Sequence, residues 1–301
     1  MRTRLIVVFA VVVAAIAVPA SPSAATGISG YTIVSETTEA DSISPKEVRV
    51  SCPEDKVVLG SGADLGFVDD DVHITGVVPG GRSVTAFASE RDGGLIGNWY
   101  LKVIAVCADP VAGREVVSDT SYSTDGPDAL VGVGCSDDKM LLDASARVSD
   151  AYTLARQPTL PDIVVNYIGG SEDYAVAQAF EDEDGTSTRW VLVTYAICAD
   201  PIVGLEQVTE VGGYLSEDTR SKTAHCPTGK RVLGGGAHVF TGGSNGNDGE
   251  VSLMTLNPVT YQNLSYYTVG AAEDRNGLSD PGSWRLDAWA VCAPVFTAIP
   301  R

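Results

Sequence analysis

The residues best suited to chemistry in this chain are carboxylates that recur at equivalent places. Glu90, Glu181 and Glu273 each stand shortly ahead of a tryptophan (Trp99, Trp190 and Trp284), and acidic neighbours follow them in Asp92, Asp182 and Asp274. Paired carboxylates are hard oxygen donors of the kind calcium takes. Two that face each other at a defined separation, one with its pKa raised by burial, could also act as acid and base on a glycosidic bond. Against both readings, glutamates entering Asp- and Gly-rich turns are ordinarily solvated. If a ligand site exists, Glu90, Glu181 and Glu273 are the set expected to form it, calcium is the one cofactor they suggest, and no catalytic residue is assigned.

Other reactive residues fit their motifs less well. Gly242-Gly243-Ser244-Asn245-Gly246 has the spacing of a nucleophile elbow, but that motif needs a following helix and a later histidine. Here Asn247-Asp248-Gly249 follows, and His73, His225 and His238 all precede the serine. A polar loop is the better reading. The histidines occupy non-equivalent positions and no HExxH helix is present, so no metal site is expected from them. The tryptophans could stack on sugar rings, but they share a face with Leu, Ala and Cys, which points to core packing.

The elements that would have to position these groups are strands. Trp190-Val-Leu-Val-Thr-Tyr-Ala-Ile-Cys198 repeats its frame at Trp99–Cys107 and Trp284–Cys292. Trp, Leu, Ala and Cys stand at alternate positions, which a β-strand places on one face. The other face starts polar with Lys102 or with Arg285 and Asp287 and ends apolar at Val106, Ile197 and Val291. Each strand should thus emerge from solvent at its Trp end and be buried on both sides near its Cys.

Upstream, Cys52, Cys135 and Cys226 open columns that run through Lys56, Lys139 and Lys230, then Leu59, Leu142 and Leu233, then Ala63, Ala146 and Ala237. These columns define repeats over 30–111, 112–203 and 204–297. Within the first repeat, runs rich in Val, Ile and aromatics at Tyr31–Ser35, Glu47–Cys52, Val57–Leu65, Val72–Val78, Val84–Ser89 and Trp99–Cys107 alternate with turn clusters such as Pro79-Gly80-Gly81. That spacing predicts an all-β fold. Gly60, Gly62 and Gly234-Gly235-Gly236 fall inside strands, where glycine marks a bulge or a close backbone approach. Asp143-Ala144-Ser145 replaces them in the second repeat, which should lack that contact.

The six cysteines fall two to a repeat. A bond present in one repeat should be present in all, and pairing Cys52 with Cys107, Cys135 with Cys198 and Cys226 with Cys292 satisfies that rule. Zinc is disfavoured by the wide separations and the lack of CxxC spacing. The compartment is read from the start of the chain. Met-Arg-Thr-Arg, an apolar run from Leu5 to Val18 and the small residues up to Ala25 form a secretory signal peptide over 1–25. The formal charge is −19, and losing Arg2 and Arg4 makes the mature chain more acidic still. Such a surface repels nucleic acid and anionic lipid, so neither a nucleic-acid partner nor membrane insertion is expected.

Cys52-Pro53-Glu54-Asp55-Lys56 and Cys226-Pro227-Thr228-Gly229-Lys230, each followed by a Gly-containing strand and closed by an alternating strand ending in Cys, resemble the vitelline membrane outer layer protein family. Cys135-Ser136-Asp137-Asp138 departs from its Cys-Pro pattern, and the repeats here are longer than the family's. The resemblance implies three sheets around a pseudo-threefold axis, a β-prism, in place of the alternative of tandem small β-sandwiches. It also implies an extracellular role at a glycan-rich coat, and it transfers no catalytic residue. The expectation is a secreted, non-catalytic binding or structural module that recognises glycans or cell-envelope material. The alternative is an extracellular polysaccharide hydrolase using paired carboxylates.

Overall fold

The computed structural model describes residues 27–66, 71–91, 94–95, 97–121, 126–151, 160, 162–183, 185–241, 249–274 and 283–296. The segment 1–25 expected to be a signal peptide, Asp92 and Ser244 lie outside the described residues. The first repeat supplies β1 (Thr32–Thr37), β2 (Lys46–Ser51), β3 (Val57–Gly66), β4 (Val72–Pro79), β5 (Ser83–Glu90) and β6 (Tyr100–Ala108). The second supplies β7 (Glu115–Thr120), β8 (Asp128–Gly134), β9 (Met140–Asp150), β10 (Ile163–Ser171), β11 (Tyr174–Glu181) and β12 (Trp190–Ala199). The third supplies β13 (Glu206–Glu210), β14 (Thr219–His225), β15 (Lys230–Thr241), β16 (Val251–Tyr261), β17 (Leu264–Glu273) and β18 (Trp284–Pro294).

These strands build three six-stranded sheets, and no sheet belongs to one repeat. The first sheet runs β1-β6-β3-β16-β17-β14, the second β13-β18-β15-β10-β11-β8 and the third β2-β5-β4-β9-β12-β7. Every repeat splits into two halves of three strands, and each half completes a sheet with a half of another repeat. Tandem sandwiches are excluded by this exchange, and the architecture is prism-like. The halves meet at short seams. Leu256 lies opposite Ala63 and Thr255 opposite Asp64, Ile168 opposite Ala237 and Tyr167 opposite His238, while Gly76 lies opposite Arg147.

The repeated columns now have physical causes. Leu59, Leu142 and Leu233, none of them exposed, are each the extra residue of a bulge opposite the closing strand. A bulge bends the strand, which a sheet wrapped around a core requires. A Cβ on Gly60 would stand 1.7 Å from the Leu233 carbonyl oxygen, and one on Gly234 would stand 2.5 Å from that of Leu142, so only glycine fits there. At the same position the second repeat has a different arrangement in place of the glycine contact. Asp143, fully buried, puts its carboxyl between the other two repeats, accepting from Ser61 Oγ at 2.6 Å and from the Gly235 backbone N–H at 3.2 Å. Burial holds its pKa well above the usual carboxylate range.

The lysine column is a set of ion pairs: Lys56 with Asp109 at 2.9 Å, Lys139 with Glu115 at 2.5 Å and Lys230 with Glu206 at 2.7 Å. The disulfides are Cys52–Cys107, Cys135–Cys198 and Cys226–Cys292. In each, one cysteine follows the edge strand of one sheet and its partner lies in a strand of another, so the three bonds link the three sheets pairwise. Each closes a loop spanning 55 to 66 residues, for which the chain-entropy account gives about 4 kcal/mol. Three such bonds fit an oxidising, extracellular setting.

The closing strands are buried on both faces near Cys, and at their Trp ends the face opposite the buried Trp99 and Trp284 is half-exposed at Tyr100, Lys102 and Arg285, whereas β12 is buried there on both faces.

Candidate functional site

Glu90, Glu181 and Glu273 end β5, β11 and β17, one in each sheet. Two of them have a defined structural partner. Trp99 donates its indole N–H to Glu90 Oε1 at 2.8 Å, and Trp190 donates to Glu181 Oε1 at 2.9 Å. Trp284 donates instead to the Glu217 carbonyl oxygen at 2.9 Å. A buried indole needs an acceptor, and the glutamate at the end of the preceding strand provides one in two of the three repeats.

The residues directly after those glutamates do come together. They are Arg91, Asp182 and Asp274, and the acidic neighbour sought in the first repeat is matched by an arginine. Each of their backbone N–H groups binds the carbonyl of the residue preceding an adjacent strand: Arg91 to Asp71 at 2.9 Å, Asp182 to Asp162 at 2.9 Å and Asp274 to Glu250 at 2.6 Å. The bond is the same in each sheet, and the Arg91–Asp274 ion pair with the closeness of Asp182 to Asp274 brings these strand ends of all three sheets to one pole of the prism. There, ligand atoms of Asp182, Glu183 and Asp274 all lie within 4.8 Å of one another. Arg91, 4% exposed, reaches Asp274 Oδ2 at 3.0 Å.

Glu250 is also 4% exposed, and neither of its carboxylate oxygens meets a hydrogen-bond donor. Burial first, then Glu183 and Asp274, push its pKa up to about 8. Burial raises that of Asp182 to about 6, with Glu183 and Asp274 adding to the rise and Arg91 opposing it. Among the described residues, the Arg91 guanidinium acts on Asp182, Glu250 and Asp274. Sequence reasoning singled out Asp182 and Asp274 but missed Glu183, Glu250 and Arg91. The available signal was the fixed step after each glutamate, and it was obscured because Arg91 breaks the acidic column.

A second feature lies on the outer face of the second sheet. Tyr167, Gly169, Gly170, Gln207, Thr209, His238, Asp287 and Trp289 line a depression of about 140 Å³. Tyr167 stacks on His238 with ring centroids 4.0 Å apart, and His238 lies 3.5 Å from the Phe240 ring. The rings are presented by strands from the second and third repeats, since Tyr167 and His238 face each other across the β10–β15 seam. Asp287 is held by the Gly212 N–H at 2.9 Å and by Arg285 at 3.0 Å, and Arg285 in turn lies 3.8 Å over the Phe240 ring. Trp289 anchors its indole on the Ile168 carbonyl at 2.8 Å.

The histidines stay apart, with His73 in β4, His225 in β14 and His238 in β15, one per sheet. The only group of three His, Cys, Asp or Glu side chains with metal-ligating spacing among the described residues is the polar carboxylate cluster. No family model matches the chain, and no curated protein matches it.

Proposed function

We propose that the protein is a secreted, non-catalytic module that binds uncharged glycan or cell-envelope material through the outer face of its second sheet. The observation that carries this reading is the groove in which the Tyr167 ring lies beside Gln207, Thr209 and Asp287. Sugars are recognised by an aromatic face that covers their C–H side and by amide, hydroxyl and carboxylate groups that meet their hydroxyls, and this groove offers each kind. Its volume is below the several hundred Å³ of enclosed small-molecule pockets, which suits one ring of a chain lying across a surface. The formal charge of −19 favours a neutral glycan over a polyanion. The signal peptide and the disulfides support export, and the resemblance to the vitelline membrane outer layer proteins supports a glycan-rich setting.

The hydrolase alternative has less support. Among the described residues, Asp287 is the one carboxylate lining the groove, and it is held by Arg285 and Gly212. Co-sedimentation of the intact protein with insoluble neutral polysaccharides and with cell envelopes tests the reading. Binding should weaken about tenfold in Tyr167→Ala, as expected for loss of one stacked ring, with the melting temperature retained. Unchanged binding in Tyr167→Ala, or release of sugar from any of these materials, would overturn it.

A further inference from the structure

We propose that the pole where the three sheet ends meet is a divalent cation site, built by Asp182, Glu183, Glu250 and Asp274 and selective for calcium. An acidic cluster alone would not justify this, because exposed carboxylates commonly gather without a ligand. The deciding feature is Glu250. It is 4% exposed, and both of its oxygens lack a donor. A buried carboxylate is ordinarily held by hydrogen bonds or a cation, and leaving one without either is strongly unfavourable. Its neighbour is Glu183, another acceptor.

The local cation does not complete the site. Among the described residues Arg91 is the cation at this pole, and it pairs with Asp274 at 3.0 Å while Glu250 keeps no donor. The donor set consists of carboxylate oxygens, which favours a hard ion over zinc or copper. The spacing agrees: oxygens on opposite sides of a calcium ion, each at about 2.4 Å, stand about 4.8 Å apart. The ligand atoms of Asp182, Glu183 and Asp274 lie within 4.8 Å of one another. Magnesium demands a tighter octahedron and gives up its waters reluctantly, so a cluster drawn from several strand ends suits calcium better.

The site couples the sheets. Asp182 and Glu183 follow β11 of the second sheet, while Glu250 and Asp274 flank β16 and β17 of the first, so one ion would join the ends of two sheets. This role is separate from glycan binding, since the groove on the second sheet contains none of these residues.

The test is calorimetric titration of the disulfide-intact protein, dialysed against a chelator and then freed of it, with calcium chloride and with magnesium chloride, alongside melting curves in both. The expected result is one calcium site with Kd on the order of 10⁻⁴ to 10⁻³ M, as in extracellular modules, at least about tenfold weaker magnesium binding, and a melting temperature that rises with calcium. Glu250→Gln and, separately, Asp182→Asn should each weaken calcium binding at least tenfold. Retention of the three disulfides and of the β circular dichroism would show that each variant is folded. Should Glu250→Gln fail to fold, Asp182→Asn carries the test alone. No binding heat and no melting shift at 10 mM calcium would overturn the proposal. Calcium binding undiminished in both folded variants would overturn it equally, by placing the ion elsewhere.

Discussion

Glu181 accepts the indole N–H of Trp190 at 2.9 Å, which fixes the last residue of one strand to the first residue of the next. The same bond joins Glu90 and Trp99 at 2.8 Å, whereas Trp284 turns to the Glu217 carbonyl and does not depend on Glu273. The repeat therefore contains its own control. Hydrogen bonds to charged groups contribute about 1.5–3 kcal/mol, so Glu181→Ala and Glu90→Ala should each lower unfolding free energy by about that much. Glu181→Gln keeps an acceptor and should lose less, and Glu273→Ala should shift the denaturation midpoint least of the four. Urea unfolding checks this. Equal effects at Glu273 and Glu181 would show that the column matters for some reason other than the indole.

Much of the fold was legible because strand pairing within a repeat is local and periodic. Val57–Leu65 was expected where Val57–Gly66 is found, and Val84–Ser89 where Ser83–Glu90 is found. The disulfides followed from the rule that equivalent cysteines behave alike. The exchange of half-repeats between sheets was not legible, because its seams rest on pairs as few as Gly76 with Arg147, and periodicity carries no information about which copy a strand will meet. The site was half legible for a related reason. Asp182 and Asp274 stood in a visible acidic column, but Glu250 is set beside Asp274 by the pairing of β16 with β17, which no column marks, and Asp143 looked like a lost glycine because its hydrogen-bonding partners Ser61 and Gly235 lie in other repeats.

The exchange makes a prediction about folding units. Residues 112–203 contain β9, β12 and β7, which complete their sheet on β4, and β10, β11 and β8, which complete theirs on β15. Cut out alone, this repeat would expose both seams and the apolar residues packed beneath them, including Leu142, Ile163 and Ile168. The isolated repeat should show no cooperative thermal transition, while the intact chain should melt in one, as expected of units that bury each other's faces. Circular dichroism of the two proteins checks it. An isolated repeat as stable as the whole would mean that the seams contribute little.

A pH dependence follows from His73, which is 1% exposed, has Ser89 Oγ 3.3 Å from Nε2 and leaves Nδ1 without a partner. Burial, with a smaller contribution from nearby Arg91, lowers its pKa from 6.5 to about 3. The folded protein therefore keeps the ring neutral where the unfolded chain would protonate it. The sign is then fixed. Above pH 6.5 neither state takes up the proton and His73 adds no pH dependence. As pH falls from about 6.5 toward 3 the unfolded state binds the extra proton, and stability falls by up to about 1.4 kcal/mol per pH unit. Asp143 has the opposite sign, since its raised pKa makes stability fall as pH rises through the range above its unfolded value. The two contributions separate on substitution. His73→Gln removes the titrating ring, so its unfolding free energy relative to the parent, measured in urea at pH 7, 6, 5 and 4, should improve steadily toward acid whatever the offset at neutral pH. A constant difference across that range would show that His73 titrates alike in both states and is not held neutral by the fold.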